Sequence, residues 1–269
     1  MILMTGRELS TTIKEGLASE VASFSSTPKL AVIQVGENEA SERYINMKKK
    51  ACEETGISFE HIHFEENTIE DEIIDKIFAL NIDRSVTGII VQLPLPRGFN
   101  VEHILESIEP IKDVDGLTTV NRELLANAKM GLFPATAEGV INLLRYYGIP
   151  MKNVQAVVLG RSNLVGKPIS VMLSQEGANV TVCHSKTKDT KAKTLKADLV
   201  VSAVGKHNLI TADMVKDGVV IVDVGMDVDF DNVSKQSSYI TPAVGGVGPM
   251  TVAMLLSNVV KAAKMQRMS

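Results

Sequence analysis

The sequence has no tryptophan, 4% aromatic residues and only two cysteines among its 269 residues. Cys52 and Cys183 stand far apart and outside any CxxC pattern, which favours reduced core thiols over a disulfide. No uncharged apolar run approaches the roughly 18 residues that a membrane-spanning helix needs. The start, MILMTGRELSTTIKEG, lacks the basic region and apolar segment of a signal peptide. We therefore expect a cytoplasmic protein without a membrane partner.

A net charge of -4 gives no global electrostatic reason to expect nucleic acid or an anionic membrane as a partner. Metal ligands are also scarce. His61 and His63 alternate in ISFEHIHFE, so they share one face of a predicted strand. Because no third ligand follows at a suitable spacing, we expect a solvent-facing pair and no metal site.

Strand-like and helix-like segments alternate along almost the whole chain, which predicts an α/β fold with parallel sheets. The rhythm restarts at Lys152 with NVQAVVLG and continues to GVVIVDVG, including a predicted helix at ITADMVKDG. We predict two domains, an α/β catalytic domain (residues 1–117 and 251–269) and a Rossmann-like doubly wound domain (118–250). The last helix, MTVAMLLSNVVKAAKM, is expected to return to the first domain.

A glycine-bracketed loop, VVLGRSNLVGKPIS, stands between a predicted strand and a predicted helix of the second domain. Gly160 and Gly166 allow a sharp turn and the approach of a phosphate to a helix amino end. The bracket is one residue longer than GxGxxG, with Ser162 in place of the central glycine of that motif, so alone it is a weak nucleotide signal. Its position within a βαβ unit strengthens that signal.

The next strand indicates which nucleotide binds. NAD-binding units place an acidic residue about 20 positions after the glycines, against the ribose hydroxyls. Here TVCHSKTK offers His184, Ser185 and Lys186 and no carboxylate. A hydroxyl and cations suit a 2′-phosphate, and Arg161 can reach the same place. The sequence therefore favours NADP over NAD, and the missing acid also weakens an S-adenosylmethionine interpretation.

SERYINMKKKAC puts a tyrosine and three lysines on one predicted helix. Surface lysines greatly outnumber catalytic ones, so these lysines taken alone predict a solvated face. Tyr44 and Lys48 are four residues apart and share a face, whereas Lys50 lies about 200° around the helix from Lys48. Lys49 also points elsewhere. At most one or two of the lysines can share a site with Tyr44.

Two further stretches place polar residues where ligands bind. VQLPLP puts Gln92 at the carboxyl end of a buried strand, the end at which α/β proteins hold ligands. KDVDGL sets Asp113 and Asp115 in a loop, where aspartates more often shape turns than bind ligands.

Together these stretches resemble the bifunctional methylenetetrahydrofolate dehydrogenase/methenyltetrahydrofolate cyclohydrolase family, over nearly the whole chain. Each motif is modest alone, and their conjunction, in order and at the usual separations, is specific. The motifs are YINMKKKACEETGI, VQLPLP, KDVDGL, GRSNLVGKP, VTVCHSKT, ADLVVSAVGK and ITPAVGGVGPMT.

The resemblance implies NADP-dependent oxidation of 5,10-methylenetetrahydrofolate, then hydrolysis of the methenyl product to 10-formyltetrahydrofolate. Lys48 becomes the expected catalytic residue, with Gln92 hydrogen-bonded to it. Tyr44 would stack along the folate ring system, and Asp115 would accept hydrogen bonds from the pterin. A lysine buried beside a substrate cation has a lowered pKa and can act as a base near neutrality.

The resemblance also assigns binding residues. Ser41, Gly245 and Gly246 would contact the substrate, and Val204 and Gly205 would join the glycine loop around NADP. It further implies tetrahydrofolate derivatives, with polyglutamylated folates among them, as the substrate class. A homodimer and a place in the one-carbon metabolism that feeds purine biosynthesis are implied as well.

Three departures from the family pattern stand in the sequence, and none of them changes Tyr44, Lys48, Gln92 or Asp115. Ala137 stands where proline is common, and Ala243–Val244 stands where Val-Pro is usual. At Leu117–Thr118, the family often has a histidine after the hydrophobic residue. The first two put the stiffness of the loops in doubt. Two alternatives stay open: a dehydrogenase that has lost the hydrolase step, recognisable by accumulating methenyl product, and a regulator that binds NADP without turnover.

Overall fold

A computed structural model describes residues 1–268. Along the first half, the elements are β1 (Ile2–Leu3), α1 (Arg7–Val21), β2 (Lys29–Val35), α2 (Glu39–Thr55), β3 (Ser58–Phe64), α3 (Glu70–Ile82), β4 (Gly88–Val91), α4 (Val101–Glu106), α5 (Thr119–Ala126) and α6 (Ala135–Tyr146). Along the second half they are β5 (Gln155–Leu159), α7 (Gly166–Gln175), β6 (Asn179–Cys183), α8 (Thr190–Thr194), β7 (Leu199–Ser202), β8 (Val219–Asp223), α9 (Phe230–Val233), β9 (Ser237–Ile240) and α10 (Val247–Met268).

The chain forms two compact units. We call one the six-stranded unit (Met1–Ser10 and Thr136–Thr251) and the other the three-stranded unit (Thr11–Ala135 and Val252–Ser269). These bounds differ from the predicted junction near residue 118. The amino-terminal strand β1 pairs with β9 of the six-stranded sheet, and the start of α5 is hydrogen-bonded to the preceding aspartate loop.

The three-stranded unit is built on a parallel sheet in the order β3-β2-β4. Six of the seven residues of β2 are buried, as expected for the central strand of a covered parallel sheet. The apolar side of α10 joins the same core, through Val252, Leu255 and Val259 among others. The predicted return of the last helix to the first domain is confirmed.

The six-stranded unit holds a parallel sheet in the order β1-β9-β8-β7-β5-β6. Read from β6 to β9, this is the 2-1-3-4-5 order of doubly wound folds, with β1 added at the edge. The order reverses between β5 and β7. Ligands of such sheets bind outside the carboxyl ends of the strands at that switch point, so the loops after β5 and β7 are the expected nucleotide site.

The helix predicted at ITADMVKDG is wrong, because only a single 3-10 turn, Ala212–Met214, forms there. Just before it, Ile210 makes an isolated bridge to Val228, and the backbone is extended at Thr211 and Val215, on either side of the turn. The prediction of two reduced core thiols holds, since Cys52 and Cys183 are both free and buried. Among residues 1–268, no helix has the length and apolar character to cross a membrane.

Candidate active site

Helix α2 carries the tyrosine and lysine of the predicted site. It begins at the cap residue Asn38, whose Oδ1 accepts a hydrogen bond from the Ser41 amide at 3.0 Å. It ends at Gly56, which adopts the left-handed conformation with φ 73°. Between these caps the helix buries Ile45 and Cys52 in the core, and this orientation fixes the direction of Lys48.

Lys48 and Gln92 are in direct contact. Gln92 follows β4 at once, and its amide N–H donates to the Ile33 carbonyl at 2.8 Å, so its backbone is tied to the sheet. Its side-chain Nε2 donates to the Leu93 carbonyl at 2.8 Å, which leaves Oε1 as the acceptor for Lys48 Nζ at 2.9 Å. The predicted hydrogen bond is confirmed.

The loop carrying the two aspartates runs beside β4. The Ile89 amide donates to the Lys112 carbonyl at 2.8 Å, and Ile89 and Asp113 form a parallel bridge. From α10, Asn258 donates to the Val114 carbonyl at 2.9 Å and holds the loop from the other side. We did not predict Asn258. The signal in the sequence was one asparagine within the largely apolar stretch of the last helix.

The two aspartates, Asp113 and Asp115, have different roles. Asp113 is buried and accepts hydrogen bonds from Leu117 N, Thr118 N, Thr118 Oγ1 and Asn121 Nδ2. It therefore stabilises the turn into α5, and Thr118, at one of the departures from the family pattern, is part of that turn. Asp115 interacts electrostatically with Lys48 and is the aspartate at the predicted site.

The electrostatics of this group suit proton transfer. Burial lowers the pKa of Lys48 from its usual value, and the charge of Asp115 opposes that shift in part. Burial also raises the pKa of Asp115, with Lys48 opposing and Asp113 adding to the shift. A lysine with a lowered pKa, held by an amide oxygen, can accept a proton from water closer to neutrality than a free lysine can.

The neighbours of Lys48 on α2 differ in exposure. Lys49 and Lys50 are exposed, as expected for a solvated face. Tyr44 is 46% exposed, so much of its ring is available for stacking. Ser41 is 4% exposed, and its Oγ has no hydrogen-bond partner among the described residues. A buried hydroxyl without a partner is uncommon in a folded protein and favours a role in ligand binding.

The six-stranded unit holds the predicted nucleotide loop at the switch point. Gly160 follows β5 with φ 108°, and a Cβ there would lie 2.4 Å from the Ala203 carbonyl oxygen in the loop after β7. A Cβ on Gly166, at the start of α7, would lie 2.3 Å from the Gly160 oxygen. Ser162 Oγ accepts from the Val165 amide at 3.2 Å and folds the loop over the helix start. The two glycines are therefore required by close backbone approach.

The turn after β6 supplies polar groups without a carboxylate. The His184 amide donates to Thr187 Oγ1 at 2.9 Å, and the Lys186 amide donates to His184 Nδ1 at 3.2 Å, so the turn is ordered. Ser185, Lys186 and Arg161 are exposed. A glycine cradle at a helix start, with a neighbouring hydroxyl and cations, fits a dinucleotide with a 2′-phosphate.

Gly245 and Gly246 lie in the six-stranded unit and not in the unit that carries Lys48. Gly245 has φ 87°, its carbonyl accepts from the Gly6 amide at 2.9 Å, and a Cβ on Gly246 would lie 2.6 Å from the Pro242 oxygen. The replaced pair Ala243–Val244 is exposed. Ala137, the remaining departure, is fully buried in the first turn of α6.

The histidine pair of β3 is exposed, with His61 Nε2 bonded to Gln34 Oε1 at 2.9 Å and His63 Nε2 to the Gly36 carbonyl at 3.3 Å. Partial burial lowers the pKa of His61, and the charges of His63 and Lys49 add to the shift. Within the described part of the chain, no group of three or more histidine, cysteine, aspartate or glutamate residues could hold a metal ion.

These features define an α/β enzyme with a lysine-centred site in one unit and a dinucleotide-binding loop in the other. Two family models match the chain. Residues 4–115 match the catalytic domain of tetrahydrofolate dehydrogenase/cyclohydrolase, and residues 134–267 match its NAD(P)-binding domain.

Individual relatives match the chain over nearly its whole length. The bifunctional protein FolD of Campylobacter concisus is 46% identical, with 98% of each chain covered. The crystal structure of the bifunctional enzyme FolD, methylenetetrahydrofolate dehydrogenase/cyclohydrolase, from Campylobacter jejuni matches with 48% identity, a TM-score of 0.95 and 99% of each chain covered. The FolD structure from Trypanosoma brucei, complexed with NADP cofactor and inhibitor, matches with 32% identity and a TM-score of 0.95, covering 100% of this chain and 99% of that one.

The chain belongs to the tetrahydrofolate dehydrogenase/cyclohydrolase family. The resemblance inferred from the sequence motifs is thereby confirmed.

Proposed function

We infer that this enzyme oxidises 5,10-methylenetetrahydrofolate with NADP to the methenyl cation and hydrolyses that cation to 10-formyltetrahydrofolate. The observation that carries the hydrolytic half is the hydrogen bond from Lys48 Nζ to Gln92 Oε1, beside the charge of Asp115. The glycine loop at the switch point of the six-stranded sheet supports the oxidative half.

In the oxidation, NADP supplies the hydride acceptor. Hydride transfer needs no protein acid or base, only placement of the substrate carbon against the acceptor. We assign that placement to two groups of residues. The residues proposed to hold NADP are Gly160, Arg161, Ser162, Gly166, His184, Ser185, Val204 and Gly205, and the backbone at Gly245 and Gly246 is proposed to contact the folate.

In the hydrolysis, neutral Lys48 accepts a proton from water as the water oxygen bonds to the methenyl carbon. The bond between that carbon and N5 then breaks as the new hydroxyl group gives up its proton to form the formyl C=O and N5 takes up a proton, so the net proton released is the one on Lys48. Burial favours the neutral amine that the first step needs. Gln92 positions the amine through its fixed amide oxygen.

Three side chains of the three-stranded unit are proposed to hold the folate. Asp115 accepts hydrogen bonds from the paired donors of the pterin ring, because a carboxylate matches two neighbouring N–H groups. The half-exposed ring of Tyr44 stacks along the aromatic part of the substrate. The buried Ser41 hydroxyl, which has no partner among the described residues, gains one from the ligand.

NADP is the cofactor that the residues favour over NAD. Ser185 and Lys186 are exposed in the turn after β6, where an NAD enzyme would place a carboxylate. Arg161 is exposed in the loop after β5, which is joined to the end of β6 by the hydrogen bond from the Gly160 amide to the Cys183 carbonyl. The Trypanosoma brucei relative was crystallised with NADP, which supports the same assignment.

Further properties follow from family membership and are proposed on that ground. The enzyme acts in the cytoplasm as a homodimer that associates through the six-stranded unit. Polyglutamylated folates are among its substrates, and its 10-formyl product serves purine biosynthesis.

The test is a time course with 5,10-methylenetetrahydrofolate and either NADP or NAD, following the methenyl and 10-formyl products separately. We expect NADPH formation and 10-formyl product appearing faster than buffer alone hydrolyses the methenyl compound. Methenyl product that decays only at the buffer rate would leave a dehydrogenase without the hydrolase. Faster turnover with NAD would contradict the assignment of the 2′-phosphate site, and no turnover with either nucleotide would leave only a regulator.

A further inference from the structure

A buried carboxylate behind the nucleotide site has no part in the function described above. Asp227 is 0% exposed. Its Oδ2 accepts hydrogen bonds from Ser202 Oγ at 2.6 Å and from the Val204 amide at 2.8 Å, and its Oδ1 accepts from the Lys206 amide at 2.5 Å. Burying a carboxylate is costly unless donors replace its water, and these three donors do so.

All three donors belong to residues 202–206, the segment that leaves the carboxyl end of β7. That segment forms one side of the switch point and contains Val204 and Gly205, two of the proposed NADP-binding residues. The neighbouring Ala203 amide donates to the Leu159 carbonyl at 2.9 Å. The Ala203 carbonyl is also the group that leaves no room for a Cβ on Gly160. The position of this segment therefore affects the glycine loop.

The backbone at Asp227 is held from the side of β8. Asp223, the last residue of β8, accepts from the Asp227 amide at 2.9 Å through Oδ1 and from the Val228 amide at 3.2 Å through Oδ2. Gly225 allows the close approach, because a Cβ there would lie 2.6 Å from Asp227 Oδ2 and 2.7 Å from the Gly205 amide nitrogen. Asp227 thus links a strand end to the backbone of residues 204–206.

We propose that Asp227 is a positioning residue for the nicotinamide nucleotide. It fixes the backbone of residues 204–206 in the conformation that the nucleotide contacts, without touching the nucleotide itself. The complete burial of its side chain excludes the direct ribose contact that a Rossmann acid makes. This inference rests on the proposed function, since it takes Val204 and Gly205 as NADP-binding residues.

The decisive variant is Asp227→Asn, which keeps the size of the side chain. An amide can accept at only one of the two positions, so either the Val204 or the Lys206 amide loses its acceptor. We expect the Kd for NADP, measured by isothermal titration, to rise about tenfold, with a larger rise for Asp227→Ala. Hydrogen exchange at residues 204–206 in the absence of NADP should become faster in both variants.

The enzyme provides its own control. Hydrolysis of supplied methenyl substrate uses Lys48 in the other unit and no NADP, so its rate should stay within about twofold in Asp227→Asn. A matched variant is Asp198→Asn, which changes a carboxylate at the opposite end of β7 that accepts from the Gln155 amide at 2.9 Å. It should leave the Kd for NADP unchanged.

An unchanged Kd for NADP in Asp227→Asn, with or without a lower melting temperature, would overturn the inference and make Asp227 a merely structural residue. An equal rise of the Kd in Asp198→Asn would also overturn it. If Asp227→Ala fails to fold, Asp227→Asn decides alone. Failure of the unsubstituted protein to bind NADP would overturn the proposed function and this inference together, whereas the variant comparison tests the inference by itself.

Discussion

The change Gln92→Glu tests whether Lys48 works as a neutral base. The oxygen of Gln92 that accepts from Lys48 Nζ lies 2.9 Å from it, and a glutamate of nearly the same shape would place a negative charge there. Two unit charges about 4 Å apart attract by about 4 kcal/mol at the effective dielectric of about 20 that suits protein sites. Because one pKa unit corresponds to about 1.4 kcal/mol, the pKa of Lys48 should rise by about two to three units.

That rise should slow hydrolysis. Burial lowers the pKa of Lys48 in the unsubstituted protein, and a new carboxylate would reverse this effect. At a pH below both pKa values the neutral fraction falls about tenfold for each unit by which the pKa rises, so we expect a cyclohydrolase kcat about a hundredfold to a thousandfold lower there. The acidic limb of the pH–rate profile should move to higher pH. Hydride transfer needs no base and should change far less.

The assay follows the loss of methenyl substrate across a pH series, with the dehydrogenase rate measured on the same preparations. Gln92→Met is the matched control, because it removes the acceptor without adding a charge. It should lower kcat by up to about tenfold through the loss of the hydrogen bond that positions the amine, without moving the profile upward. A Gln92→Glu variant with unchanged or faster hydrolysis at neutral pH would refute the neutral-base mechanism.

Three further changes test the structural assignments. Asp113→Ala removes the acceptor of four hydrogen bonds from a buried turn. It should lower the free energy of unfolding, measured in urea, by more than about 3 kcal/mol, and a loss below about 1 kcal/mol would contradict that role. Gly166→Ala puts a Cβ 2.3 Å from the Gly160 oxygen. It should raise the Kd for NADP at least about tenfold while hydrolysis of the methenyl substrate continues, and an unchanged Kd in a titration would contradict the loop assignment. Burial raises the pKa of the Cys52 thiol from 9.0 to about 12, so the folded state keeps a proton that the unfolded state loses, and stability should fall between pH 9 and 12 more steeply than in Cys52→Ala. Equal slopes in alkaline urea titrations would contradict that shift.

Motif resemblance predicted the contact between Lys48 and Gln92, and the structure shows the local features that produce it. Asn38 and Gly56 bound the helix that carries Lys48, and the end of a buried strand placed Gln92 beside it. The assignment of Asp115, and not Asp113, to the site came from motif resemblance only. The physical reason, that Asp113 is used by the turn into α5, required the distances.

Long-range partners were not predictable from the sequence. Asn258 reaches a carbonyl 144 positions earlier, and Asp227 holds amides more than 20 positions earlier. Neither stands in a motif, and only the packing of α10 and the order of the strands bring these groups together. The helix predicted at ITADMVKDG is wrong for a related reason, because Ile210 at its start forms an isolated bridge to Val228.

The most direct test of the central claim is the progress curve of Lys48→Met with 5,10-methylenetetrahydrofolate and NADP, beside Lys49→Met as the exposed neighbour. We expect Lys48→Met to form NADPH while methenyl product accumulates and decays only at the buffer rate, whereas Lys49→Met releases the 10-formyl product like the unsubstituted enzyme. Formation of the 10-formyl product by Lys48→Met at the unsubstituted rate would contradict the assignment of Lys48 as the hydrolytic base.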